Sequence, residues 1–170
     1  MKQLIINLVL IAILACCPLG NCAGEFISAK NNTYIIQPAR KFTWDEASKE
    51  CDNQNMDLLT IENETKAEEI KELLKKVFAG KPIPRFYLGA NDKEKFREFY
   101  WITSKGRELF TYTNWDRTEP NNYQKLNERC VHIGFYGTEF WNDINCSRKY
   151  GFICQERLDF NSLLRSISRA

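Results

Sequence analysis

The chain predicts an α+β domain, on three observations. Two capped, amphipathic helical segments come first, between positions 44 and 78, and a run of short apolar segments follows Pro82 and Pro84. Helices that precede strands, instead of alternating with them, indicate separate layers and not βαβ units. The third observation is an even set of four cysteines beyond the first 23 residues, Cys51, Cys130, Cys146 and Cys154, as the disulfide framework of an exported domain requires.

Positions 1–23 read as a secretory signal. Lys2 supplies the positive start, 4–15 is almost continuously apolar, and small residues cluster at Gly20, Ala23 and Gly24. The run is short for a membrane span, and no second run of spanning length follows. The expectation is an exported chain without a membrane anchor, with an uncleaved anchor as the competing reading. Removing the signal leaves about 147 residues, which suits one domain. A short segment over 24–33 precedes that domain, which runs over 34–156, and a tail follows over 157–170. Cleavage before Cys22 would instead leave an odd thiol for an intermolecular bridge.

Thr43-Trp44-Asp45-Glu46 is a capping-box signature: the hydroxyl of Thr43 can satisfy an amide three residues on while Glu46 reaches back. It predicts a helix over 44–55, with Ala47 and Cys51 on one face. Leu58, Leu59 and Ile61 form a short apolar run. A second helix over 66–78 takes its cap from Thr65 and Glu68, its buried stripe from Ile70, Leu73, Leu74 and Val77, and its stop from Gly80. Strands are expected over 86–88, 99–102, 109–112, 130–133, 139–141 and 150–154. In the tail, Phe160, Leu163, Leu164 and Ile167 have helical spacing; a short amphipathic helix and a frayed end both fit.

The 24 basic and 22 acidic residues give a formal net charge of +2 and are interspersed, so nothing points to nucleic acid. The mixed run at 71–76 reads as the solvated face of the second helix. Sequons stand at Asn31, Asn63 and Asn145. Asn31 and Asn63 are the expected glycan acceptors, whereas Asn145 has Cys146 as its middle residue. His132 lies between Val131 and Ile133 and reads as a core or edge histidine. No nucleophile and base stand at a recognisable spacing, so an enzyme is not expected.

The stretch 114–129 is long and poor in strand character, and such loops are commonly functional. It holds Glu119-Pro120-Asn121 and Glu128, and Trp141-Asn142-Asp143 lies shortly beyond it. Glu119, Asn121, Glu128, Asn142 and Asp143 offer hard oxygen donors and none of the nitrogen or sulfur that zinc or copper favours. Calcium is the metal they suit. It takes roughly 6 to 8 oxygens, so five side chains would leave positions open for water or a ligand's hydroxyls.

On these residues the chain resembles a C-type lectin domain over about 34–154. In that family Glu-Pro-Asn and Trp-Asn-Asp carry the sugar-binding calcium, with a further acid just upstream of the third cysteine. Glu119, Asn121, Glu128, Asn142 and Asp143 occupy those positions. Phe86-Tyr87-Leu88-Gly89 is similar to the family's Trp-Ile-Gly-Leu strand with aromatic substitutions, and Asn114-Trp115 precedes the calcium loop. The four cysteines alone allow three pairings; the resemblance implies Cys51 with Cys154 and Cys130 with Cys146. In the chain-entropy model these close loops worth up to about 4.7 and about 3 kcal/mol. It also implies a cis bond between Glu119 and Pro120. The family's auxiliary calcium site is where the chain departs: Asp92 matches one ligand, but Phe96, Asn122 and Arg129 stand where acids are expected. The fixed charge of Arg129 would repel a second cation, so one principal calcium is expected.

The chain resembles secreted single-domain insect C-type lectins, and the resemblance implies a calcium-dependent carbohydrate-binding protein. Two adjacent sugar hydroxyls would join the ion, with Glu119 and Glu128 accepting from them and Asn121 and Asn142 donating. Tyr123 could stack on the sugar, or stand as an exposed loop tyrosine. Glu-Pro-Asn goes with mannose-type sugars in the family. A galactose-binding lectin and a protein-binding module on the same fold are the alternatives. The implied partners are glycans on microbial or cell surfaces, in immunity or agglutination, with several copies acting together for avidity. Protonation of the carboxylates would release the ion near about pH 5.

Overall fold

A computed structural model describes residues 24–27, 32–123 and 127–157. The expected signal with Cys22, the sequon at Asn31 and the tail beyond Arg157 lie outside the described residues. The described elements are two helices, α1 (Trp44–Asn53) and α2 (Glu64–Val77), and nine strands. The strands are β1 (Gly24–Ile27), β2 (Thr33–Phe42), β3 (Met56–Leu58), β4 (Phe86–Asn91), β5 (Tyr100–Thr103), β6 (Gly106–Leu109), β7 (Cys130–Ile133), β8 (Trp141–Ile144) and β9 (Tyr150–Glu156). They join in the order β1-β2-β9-β4-β5-β6, with β3 beside β9, and with β7 bridging β4 to β8.

The capping box at the start of α1 is complete. The Glu46 amide donates to Thr43 Oγ1 at 3.3 Å and the Thr43 amide donates to Glu46 Oε2 at 2.7 Å. The second helix starts two residues before the expected position, because Asn63 and not Thr65 caps it: the Lys66 amide donates to Asn63 Oδ1 at 2.9 Å. Asn63 has the extended backbone a cap requires, with φ −156° and ψ 168°. Asn63→Ala should therefore lower the unfolding free energy by about 1 kcal/mol, whereas Asn63→Asp keeps the cap and removes the expected glycan acceptor. Urea denaturation of both variants separates the two roles, and an equal loss in both would refute the cap.

Successive residues of a strand face opposite sides of the sheet, and β4 and β9 show it. Phe86, Leu88 and Ala90 join Ile153 in a core that holds Ile70, Leu73 and Leu74 of α2. Tyr87, Phe152 and Cys154 join Trp44, Ala47 and Cys51 of α1 in a second core. The central strands are thus buried on both faces, one helix against each. The bridge Cys51–Cys154, with a sequence separation of 103, ties α1 to β9 inside the second core. Cys130–Cys146, with a separation of 16, holds the start of β7 to the chain just beyond β8.

Two expected strands shift. The segment expected over 109–112 is found at Gly106–Leu109, and Phe110 and Tyr112 pack instead against the first core. The one expected over 139–141 is found at Trp141–Ile144. Asn142 and Asp143 therefore stand on a strand, with Asn142 directly opposite His132 and Asp143 opposite Val131. Among the described residues, no helix is long and apolar enough to cross a membrane.

Candidate functional site

The long loop is fixed at its root by aromatic packing. Trp141 is fully buried, and the rings of Trp101, Phe110, Tyr112 and Trp115 lie with centroids 5.5 to 6.0 Å from its own, all at steep angles. Edge-to-face contacts at such separations are favoured by the ring quadrupole. Backbone bonds complete the anchorage: the Trp141 amide donates to the Asn114 carbonyl at 2.9 Å, and the Asp116 amide to the Trp141 carbonyl at 3.0 Å. The outgoing loop is thereby held beside β8, where the second group of candidate ligands stands.

The loop then turns at Glu119–Pro120, whose peptide bond is cis, and folds back onto Asp143. Asp143 Oδ1 accepts from the Asn121 amide and Oδ2 from the Asn122 amide, both at 2.9 Å. Glu119 accepts from the Asn121 backbone at 3.1 Å and from its side-chain amide at 2.9 Å. Glu128 Oε2 accepts from the Tyr123 amide at 2.6 Å, while the Glu128 amide donates to Asn122 Oδ1 at 2.9 Å. Glu119, Asn121, Glu128 and Asp143 are thus one hydrogen-bonded neighbourhood. Tyr123 sits at its rim with an exposed ring.

The carboxylates are crowded. Burial, then a hydrogen bond with Asp143 and the Asp143 charge, push Glu119 from 4.5 up to about 7. Burial raises Glu128 as well, aided by the Asp143 charge and opposed by the Tyr123 amide. A divalent cation among these groups would reverse the sign of the local field and favour their ionised forms. Among the described residues no three or more acidic, histidine or cysteine side chains are gathered as a metal site. The carboxylates are turned onto loop amides, and two of the five candidate donors are asparagines. By chemistry the donor set fits calcium and no softer metal.

Asn142 is buried, and its amide nitrogen faces inward. Nδ2 lies 3.3 Å from His132 Nε2 and donates to the Asp143 carbonyl at 2.5 Å. Both amide hydrogens have partners inside the domain, so the donation from Asn142 to a sugar hydroxyl expected from the sequence is not available in this arrangement. His132 is itself fully buried, and burial lowers it to about 4, which keeps the imidazole neutral at physiological pH. It is the core histidine that its apolar neighbours suggested. Its contact with Asn142 had no sequence signal beyond the facing of two strands.

Beside the loop, Arg129 stands where a second cation would be expected. Its Nε lies 2.8 Å from Oδ1 of the buried Asp92, close enough for an ion pair although the N–H does not point at the oxygen. A second guanidinium nitrogen of Arg129 donates to the Asp92 carbonyl, and the Arg97 amide donates to Asp92 Oδ2 at 2.7 Å. The Arg97 side chain continues to the Pro120 carbonyl. Phe96 carries both guanidiniums near its ring, at 5.3 and 5.2 Å from the centroid. Asp92, Phe96, Arg97 and Arg129 are therefore a built cluster, in which one guanidinium and one backbone amide meet a buried carboxylate and two guanidiniums flank one ring.

Comparison with known proteins agrees with this fold. The family described as the lectin C-type domain matches residues 40–156. Lectin subunit alpha of Sarcophaga peregrina is 35% identical over 128 residues, 72% of this chain and 44% of that protein; the chain spans less than half of that relative. C-type lectin mosGCTL-7 of Aedes aegypti is 30% identical over 125 residues, 71% of this chain and 81% of that protein. Human lithostathine is similar in structure, with a TM-score of 0.62 at 25% identity, covering 84% of this chain and 91% of that one. Lectins are a non-enzymatic class, and the chain is not an enzyme. With the match covering most of its length, and with two helices, a mixed sheet and both bridges in place, the chain belongs to the C-type lectin domain family.

Proposed function

We propose that the chain is a secreted, calcium-dependent lectin that binds glycans on microbial or cell surfaces, with a preference for mannose-type sugars. One observation carries the reading: the loop folds back on itself and onto Asp143 so that Glu119, Asn121, Glu128 and Asp143 meet in one hydrogen-bonded neighbourhood, a crowding of carboxylates that a bound cation relieves. Glu119, Asn121, Glu128 and Asp143, with the side-chain oxygen Oδ1 of Asn142, are the residues that would hold calcium. When bound, the ion would supply open positions for two neighbouring sugar hydroxyls. Glu119 and Glu128 accept hydrogen bonds from those hydroxyls. Donation falls to Asn121, whose side-chain nitrogen gives one hydrogen to Glu119 and keeps a second. The exposed ring of Tyr123 borders the same surface. A site that takes one sugar by two hydroxyls is weak alone, and several copies on one glycan surface raise retention without new contacts.

Retention of the secreted protein on mannan and on galactan resins, in calcium and then in chelator, tests the reading. Mannan retention that chelator abolishes is expected. Galactan retention alone would reverse the specificity, and retention indifferent to chelator would reject the site. In Glu119→Gln with Asn121→Asp the donor and acceptor order is exchanged, so competition by free galactose should strengthen relative to mannose. An unchanged ratio places specificity outside this pair.

A further inference from the structure

We propose that His132 is a positioning residue for the candidate ion site, and that it acts by fixing which atom of the Asn142 carboxamide faces the loop. The inference rests on the calcium reading above. The two residues are direct partners across β7 and β8, and both are buried. His132 Nδ1 lies 3.1 Å from the Ile133 carbonyl oxygen, which can only accept. Nδ1 therefore carries the ring proton, and in the neutral imidazole Nε2 is left as an acceptor.

That unprotonated Nε2 faces Asn142 at 3.3 Å, and the Asp143 carbonyl faces the same end of the side chain at 2.5 Å. Two acceptors at one end of a carboxamide require its nitrogen there. A flipped amide would set Oδ1 against both, and buried acceptors that face one another without a proton between them are left unsatisfied, which is unfavourable. Oδ1 is consequently the end left facing away from His132, and under the calcium reading it is the oxygen that Asn142 gives to the ion. The rings of Tyr150 and Phe135 pack on the imidazole, with centroids 5.1 and 6.0 Å away. They exclude the water that could otherwise replace Nε2 as the acceptor.

Partners that orient metal ligands typically change metal affinity by about 10 to 100-fold when replaced. His132→Leu removes the acceptor and keeps apolar volume, so calcium affinity of the full secreted chain, read by calorimetry, should weaken by about tenfold or more. His132→Gln can present an amide oxygen near the Nε2 position and should recover most of that loss. A merely structural role would lower the denaturation midpoint of both variants without calcium and leave their affinities at the wild-type value. Nitrogen NMR of the calcium-free wild type gives an independent reading, with a protonated Nδ1 and an unprotonated Nε2 expected. A proton on Nε2, or a leucine variant that binds calcium as the wild type does, overturns the inference while the calcium reading stands. A wild-type chain that takes up no calcium fails the calcium reading itself, and the inference falls with it.

Discussion

In an Asp143→Ala variant, retention on an immobilised glycan in calcium falls to the level seen in chelator. Asp143 receives the amides of Asn121 and Asn122 on its two oxygens, and under the proposed reading it is also a ligand of the ion. Removing it takes away one carboxylate and frees the Glu-Pro-Asn turn from β8. Hydrogen bonds to a charged group are worth about 1.5–3 kcal/mol each, so the turn should loosen. The two cores lie elsewhere and both disulfides remain, so the fold should persist. Limited proteolysis should find new cleavage confined to the loop, while circular dichroism stays that of the wild type. A folded variant that still elutes only with chelator would count decisively against Asp143 as a ligand.

Calcium affinity should weaken as pH drops below about 7, well above the pH near 5 that ordinary carboxylates suggest, because Glu119 holds its proton up to about 7. The sign for the ion-free protein runs opposite to the usual carboxylate. A folded-state value raised above the unfolded 4.5 means that the folded chain binds more protons between 4.5 and about 7. The Glu119 contribution to stability is therefore present at low pH and is lost as pH rises through about 7. Glu128 is displaced in the same direction by burial. Calcium needs both groups ionised, so acid competes with it, by about tenfold in affinity per pH unit for each proton displaced. Calcium titrations from pH 5 to 8, paired with denaturation of the ion-free chain, measure both slopes. An affinity that is flat across that range would dispose of Glu119 as a ligand.

What could be read from the sequence was local and chemical. The Thr43 and Glu46 capping pair, the stripe of Ile70, Leu73 and Leu74, and the strand Cys130–Ile133 emerged as expected. Each depends on spacing within a few residues. The long strand β2 was not legible, since Pro38, Arg40 and Lys41 interrupt its alternation and its register with β9 shifts between Gln37 and Phe42. One of its two partners, β9, lies more than a hundred residues away in sequence. The shift of the eighth strand has a similar cause: Phe140 and Trp141 supply an apolar signal, but pairing with Val131 and His132 extends the ladder through Asn142 and Asp143. That Glu119, Asn121, Glu128 and Asp143 lie close together was legible, because Glu-Pro-Asn, the acid before Cys130 and Trp-Asn-Asp stand in joint register with two cysteines. The inward turn of the Asn142 amide and the ties from Arg97 and Arg129 were not, since each depends on a contact between segments distant in sequence.

The guanidinium of Arg129, seated against Asp92, belongs to the polypeptide and cannot be diluted away. Under the proposed reading, mass action has no hold on the charge at that position, which is the same at any free calcium concentration. Under the proposed reading only the Glu119 half answers to the metal, with a stabilisation that grows as the logarithm of free ion for a single site. Occupancy then rises gradually with calcium instead of switching over a narrow interval, as two ions filling together would make it do. On that reading a graded response takes the place of a threshold.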